Sequence, residues 1–401
     1  MASTLADTTA ALQKLLLDQF RSATPDADDR PFLAFEPGTA IPDETFHLPP
    51  DNPDYSPASA LEYMSHRANV APRVEENVLF ETSNRVDNLY EILLKGAMPS
   101  EPDGAELLGM VKRSACDRFD ETLGSVVTPE IGRFHPTYAD PVNWYDHDAV
   151  SNWTRLALDQ ADELPPSPTN GGTLDTPRSS FLLKWKTAPV ELQPLLSARV
   201  STTIASRFRD TRIGSPAIAV ASPNIARIDA RQWATPELRL PGAARVHEIT
   251  SIDRRIGPEL GNLQITPVPP EPSVTSDGFS ISFEMCLVHL RRPWLGDGLL
   301  NLSSWFVPSV ARGSFSGGTG SNESTPLAVL PIACILIRDL VIKARWNDDD
   351  RANLETSSHL GAFSLLGRSY DHDAATLTVA GVQSIAWICQ PMPVLPPREP
   401  A

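Results

Sequence analysis

The chain has no CxxC pair, no opening stretch that reads as a secretory leader and no apolar run long enough to cross a bilayer. Its four cysteines, Cys116, Cys286, Cys334 and Cys389, are scattered through 401 residues. That spacing fits neither a zinc ribbon nor a disulfide scaffold, and a reducing compartment is the simpler expectation. Met1 to Arg21 carries acids and no positive segment followed by an apolar one, so it does not read as a secretory signal. A cytoplasmic location, or export without a leader, is expected. Sequons at Asn152, Asn301 and Asn322 then read as accidental. The longest apolar run, Leu327 to Ile337, is broken by Pro331 and is too short to span a membrane.

Local catalytic signatures are also missing. HExxH and GxGxxG do not occur, and His247-Glu248 has no second histidine in place. The Gly-rich stretch Gly313 to Thr325 has no GK[ST] and is followed by Pro326 and a strand-like run. A phosphate loop needs a helix there. It also fails the G-x-S-x-G elbow, because Phe315 stands where the serine must be. A mobile loop is the expectation. No repeat of solenoid or propeller length is present.

Proline and acid are what the chain has in excess. Its 38 prolines are nearly twice the usual ~5 %. Proline fixes φ and removes a donor, so long irregular connections are expected. The net charge of −16 sits entirely in the front: residues 1–180 hold 13 Lys and Arg against 30 Asp and Glu, whereas 181–401 hold 21 against 20. The two parts face different electrostatic tasks.

Apolar spacing predicts helices over 4–21, 56–67, from Pro72 to Gly96, and over 103–122. The polar, Pro-rich stretch 22–55 reads as a linker. Within 127–180 only Trp153 to Leu164 looks helical. Val190 to Phe208 is one further helix candidate. Phe181 to Trp185, Ala217 to Ala221 and Arg245 to Ile249 read as short strands. Phe279 to Leu287 alternates strictly with period two and is the clearest strand. Leu336 to Trp346 is a second, and the run before it reads as buried on both faces. Thr376 to Val379 and Val382 to Cys389 are expected to pair around Gly381. Helices first and strands later predict an α+β fold: a helical acidic region over 1–125, a Pro/Trp-rich connector over 126–179, and a β-rich, sandwich-like domain over 180–397.

Three features carry candidate chemistry. Tyr145-Asp146-His147-Asp148-Ala149 recurs as Tyr370-Asp371-His372-Asp373-Ala374. Carboxylates flanking an imidazole are metal-ligand types. They converge only in a turn, and the same residues also make solvated Asx turns. Ten arginines and no lysine lie in 199–255, among them Arg207, Arg209, Arg212, Arg254 and Arg255. Arginine without lysine suits bidentate pairing to carboxylate or phosphate. Nucleic acid is not expected, given the chain's charge and few aromatics there. Trp294 to Val307, with Trp294, Trp305 and Phe306, is unusually apolar for a loop and fits a partner surface, a lipid interface or a lid over the β core. Asn347 to Asp350 lacks EF-hand spacing and reads as a charged turn.

The first functional expectation is a soluble, non-enzymatic binding or assembly protein without a cofactor. It would meet a protein partner or a second copy through the arginines and the apolar loop. A metal-assisted hydrolase that holds a divalent ion with the two Asp-His-Asp segments is the alternative. A leaderless membrane-active protein is a weaker one.

Overall fold

The computed structural model describes residues 5–24, 31–41, 59–123, 127–128, 132–133, 135–146, 148–159, 185–187, 274–320 and 323–400. The front half begins with α1 (Leu5–Ala23), β1 (Phe32–Ile41), α2 (Ser59–Ala68), β2 (Arg73–Glu75), β3 (Val78–Phe80) and α3 (Val86–Gly96). It continues with β4 (Met98–Pro99), α4 (Ala105–Leu123), β5 (Val127–Thr128), β6 (Gly132–Arg133), β7 (Tyr138–Asp140), β8 (Thr154–Asp159) and β9 (Trp185–Thr187). The back half holds β10 (Asp277–Arg291), α5 (Asp297–Asn301), β11 (Trp305–Phe306), β12 (Val329–Arg345) and α6 (Asp348–Thr356). It ends with β13 (Ser357–Leu360), β14 (Phe363–Ser364), β15 (Arg368–Asp371), β16 (Thr376–Val379) and β17 (Val382–Pro391). Helices and strands both contribute, and the C-terminal region is sheet-rich, so the fold is α+β.

Ten of the described strands form one sheet, built on the long antiparallel pair β10–β12. On its far side β12 meets β17 along residues 329–337 and then β16 along 340–343. Asp339, with φ of 51°, stands at this changeover. The strands expected to pair around Gly381 are therefore successive neighbours of β12 instead. Beyond β17 the order runs β1, β3, β2; beyond β16 lies β15; β7 and β8 both pair with β10. Strands from before residue 125, from 126–159 and from 277–391 thus share hydrogen bonds in one sheet. The sheet crosses both of the expected boundaries that fall between these stretches.

Three segments differ from the sequence reading. β1 lies where a linker was expected. Its Leu33 and Phe35 face one core while Ala34 faces the other, and it pairs with β17. The register breaks at Pro37-Gly38, where proline offers no donor. A Cβ on Gly38 would stand 2.4 Å from the Ser364 amide, so only glycine fits. The expected helix from Pro72 splits into the β2–β3 hairpin and α3. Glu76 and Asn77 take φ of 48° and 60°, the left-handed pair that a two-residue turn requires. β8 replaces the expected helix at Trp153, and its Leu156 faces Phe283 of β10. The helix expected at 190–208 and the strands at 217–221 and 245–249 lie outside the described residues.

Alternation along the central strands fills a core on each face of the sheet. Ile335, Ile337, Ile281 and Phe283 lie on one face, under Leu12, Leu16 and Phe20 of α1, with Leu360 and Phe363 of the small β14–β13–β9 sheet. Cys334, Leu336, Cys286 and Trp387 lie on the other, under Tyr63 and Met64 of α2 and Trp144 and Trp153. A third core joins α3 and α4 to Trp294, Leu299, Trp305 and the tail residue Leu395.

Candidate functional site

The apolar segment expected to meet a partner or lipid is mostly inside. Trp294 and Trp305 are both 0 % exposed. Their indole N–H groups donate to Pro136 O at 2.9 Å and Leu299 O at 3.0 Å. Trp294 packs edge-on to Phe119 of α4. This burial removes both tryptophans from any outer contact, because α3 and α4 supply the apolar surface that they need. Phe306 is only half-buried and pairs across β11–β4 with Met98, itself 48 % exposed. Arg292, which would have favoured anionic lipid, is also buried. It donates to Asn69 Oδ1, Pro331 O and Ala68 O, so it ties α2 to β12.

The outer side of the same segment lines a cleft of about 800 Å³. Leu300 to Ser303 form one wall and the tail residues Pro393, Val394 and Pro397 the other. The tail is pinned by hydrogen bonds between Leu395 and Ser316 and between Met392 and Ala328. Arg312 and Arg398 stand at the rim. Arg312 Nε donates to Pro397 O at 3.0 Å, and Arg398 Nε donates to Ser303 O at 2.9 Å. Neither terminal guanidinium nitrogen of either residue has a partner among the described residues. Each fork is thus held at its base and left open at its tip, the geometry for carboxylate recognition. Glu101 and Glu399 share the rim, so a ligand with donors as well as an acid group suits it.

In both Asp-His-Asp segments the first aspartate accepts from backbone amides just after it. Asp146 Oδ1 accepts from Asp148 N at 2.8 Å, and Asp371 Oδ1 accepts from Asp373 N at 2.9 Å and Ala374 N at 3.1 Å. His147 lies outside the described residues; His372 is exposed and stacks edge-on against Tyr370. Register separates the two copies. The second sits at the level of Thr376, Lys343 and Ser280; the first lies between Asp140, opposite His289, and Thr154, opposite Met285. Three strand spacings and five residues set these attachment points about 20 Å apart. No group of three or more His, Cys, Asp or Glu side chains that could hold a metal occurs among the described residues. Asn347 to Asp350 opens α6: Asn347 Oδ1 caps Asp350 N at 2.8 Å, and the buried Asp350 carboxylate accepts from Ser276 N at 2.7 Å and Ser276 Oγ at 2.6 Å. Arg207, Arg209, Arg212, Arg254 and Arg255 lie outside the described residues.

Sequence reasoning missed a buried charge network on the α2 side of the sheet. Glu36 of β1 is 3 % exposed and meets Arg67 of α2 at 2.7 Å. Arg67 also reaches Glu81 at 2.6 Å and lies over the Trp387 ring. Ser384 Oγ donates to Glu36, and Cys334 Sγ lies 3.2 Å from Ser384 Oγ. A one-residue register shift at Ile385 turns Ser384 to this face. Burial pushes the Glu36 carboxyl up, and Arg67 and Ser384 work against it. Burial also raises the Cys334 and Cys389 thiols, and it lifts Cys286 to about 12. Thiols held protonated are poor nucleophiles, so the network holds structure together. The acid that follows the apolar Phe32 to Phe35 marks Glu36 locally but not its distant partners.

No family model matches the chain, and no curated protein or solved structure does either. Among the described residues no helix is long and apolar enough to cross a membrane.

Proposed function

We propose that the chain is a non-enzymatic binding or assembly protein, and that its partner, a second protein or a second copy, seats in the cleft between Leu300–Ser303 and the C-terminal tail. The observation that carries this reading is the pair of Arg312 and Arg398 guanidinium groups, fixed at Nε with their outer nitrogens unpartnered among the described residues. The acidic first 180 residues of another copy provide a partner of suitable sign. Arg207, Arg209, Arg212, Arg254 and Arg255 add to that attraction on charge alone.

Light scattering between about 0.05 and 0.5 M salt tests the reading, because this range collapses the screening length from over ten to a few ångströms. The expected result is an assembly that dissociates as salt rises and that Arg312→Glu with Arg398→Glu weakens already at low salt. An assembly indifferent to both overturns it.

A further inference from the structure

The Gly-rich loop is organised around a charge of its own. Five donors converge on the carboxylate of Glu323. Gly317 N and Thr325 Oγ1 donate to Oε1; Thr319 N at 3.2 Å, Thr319 Oγ1 at 2.9 Å and Gly320 N at 3.3 Å donate to Oε2. Gly318 and Gly320 take φ of 87° and 80°, which turns successive amides to one side. A Cβ on Gly317 would stand 2.9 Å from Oε1, so its absence lets the carboxylate approach. Concave runs of backbone N–H groups of this kind bind anions. The cage remains open to water, since Gly317 and Thr319 are exposed and Glu323 is only half-buried. Partial burial pushes the Glu323 carboxyl up, but bonds from Thr325, Gly317 and Thr319 outweigh this and hold it below its ordinary value. Glu323 therefore sits in the cage as an anion.

We propose that the Gly317–Gly320 loop, with Thr319 and Thr325, is an oxyanion-binding site whose resident occupant is the chain's own Glu323, and that a carboxylate or phosphate group from outside occupies it when Glu323 is withdrawn. The donor set explains the class. Three amides and two hydroxyls supply donors and no charge, which suits a small, strongly accepting group without excluding either geometry. The site adjoins the cleft: Val394 lines the cleft and also stands against Gly313 and Gly318. The inference does not depend on the assembly reading, because the cage is defined by its own donors.

The test compares the full chain with Glu323→Ala and Glu323→Gln, melted in sodium acetate, sodium phosphate or sodium chloride at one ionic strength and pH 7. Glu323→Ala is expected to melt below wild type. At about ten times its dissociation constant, a bound oxyanion raises the folded-to-unfolded ratio of this variant about elevenfold. Wild type, with its site filled, gains much less. Recovery by acetate alone assigns the site to carboxylates, and recovery by phosphate alone assigns it to phosphate groups. No recovery by either, or equal recovery by chloride, overturns the proposal.

Glu323→Gln is the second arm and needs no added ligand. A carboxyl held below its usual value contributes stability that is present above the unfolded pKa and is lost as pH falls through the folded one. Wild type therefore loses stability as pH falls through and below the ordinary glutamate range, and Glu323→Gln loses less there. An unchanged acid-side slope would also overturn the proposal.

Discussion

The two faces of the central sheet are built from the same strands by different means. Under α1 the face is apolar: Phe279, Ile281, Phe283, Ile335 and Ile337 meet Leu12, Leu16 and Phe20. Under α2 the face carries Glu36, Arg67 and Ser384 among Trp387, Leu336 and Val288. Non-directional burial organises the first, so any apolar side chain of similar volume serves. The second depends on groups that satisfy one another, so the loss of one strands the rest. The α2 face should therefore fail by mispairing and the α1 face by cavity formation.

The largest effects come from one deletion on each face. Phe283→Ala empties a site between Leu156 and the β12 isoleucines and is expected to cost about 3–5 kcal/mol. Arg67→Met keeps volume but leaves Glu36 buried without its cation, and a loss of about 3–5 kcal/mol is expected. Urea titration measures both. A second substitution then separates them. Glu36→Gln removes the stranded charge, so in the Arg67→Met background it should restore part of the stability. No polar substitution should restore Phe283→Ala. If Glu36→Gln worsens Arg67→Met, the α2 face is held by packing alone and the contrast between the faces disappears.

A smaller effect is expected where a carboxylate serves one helix end. Asp350→Ala strands the Ser276 amide and hydroxyl that now meet Oδ2, a loss of about 1–3 kcal/mol. Asp350→Asn keeps an acceptor and should recover much of it. Equal losses in the two variants would show that the charge, rather than the acceptor, holds the β10 entry to α6.

What the sequence showed follows the same division between faces. β10 and β12 were legible because alternation and a long apolar run record the α1 face directly. The helices α1, α3 and α4 were legible from apolar spacing. β1 was not: four apolar residues precede Glu36, and Pro37-Gly38 reads as a linker until β17 lies beside it. β8 was misread because Trp153, Leu156 and Leu164 also fit a helical period. The Glu76-Asn77 turn lacks the glycine that usually advertises a hairpin. The charge network could not be read locally, since Arg67 and Ser384 stand 31 and 348 positions from Glu36. The cleft was half legible. Leu300 to Ser303 fall in the apolar segment noticed from composition, but Arg312 and Arg398 acquire meaning only when the tail folds back. Glu323 was the lone acid in a loop read only for its glycines.

The smallest expected effect tests the feature most conspicuous in the sequence. His372 is exposed, its contact is the Tyr370 ring, and Asp371 spends its carboxylate on the two amides of its own turn. His372→Ala should therefore change stability by no more than about 0.5 kcal/mol, as at surface positions generally. Asp371→Ala should cost somewhat more, because two turn amides lose their acceptor to water rather than to burial. Adding zinc or magnesium should leave the melting temperature of wild type unmoved, since binding to the native state alone would raise it. A metal-dependent rise that His372→Ala abolishes would restore the ion-binding reading of this segment. It would also show that a surface turn, rather than either buried face, carries the chemistry.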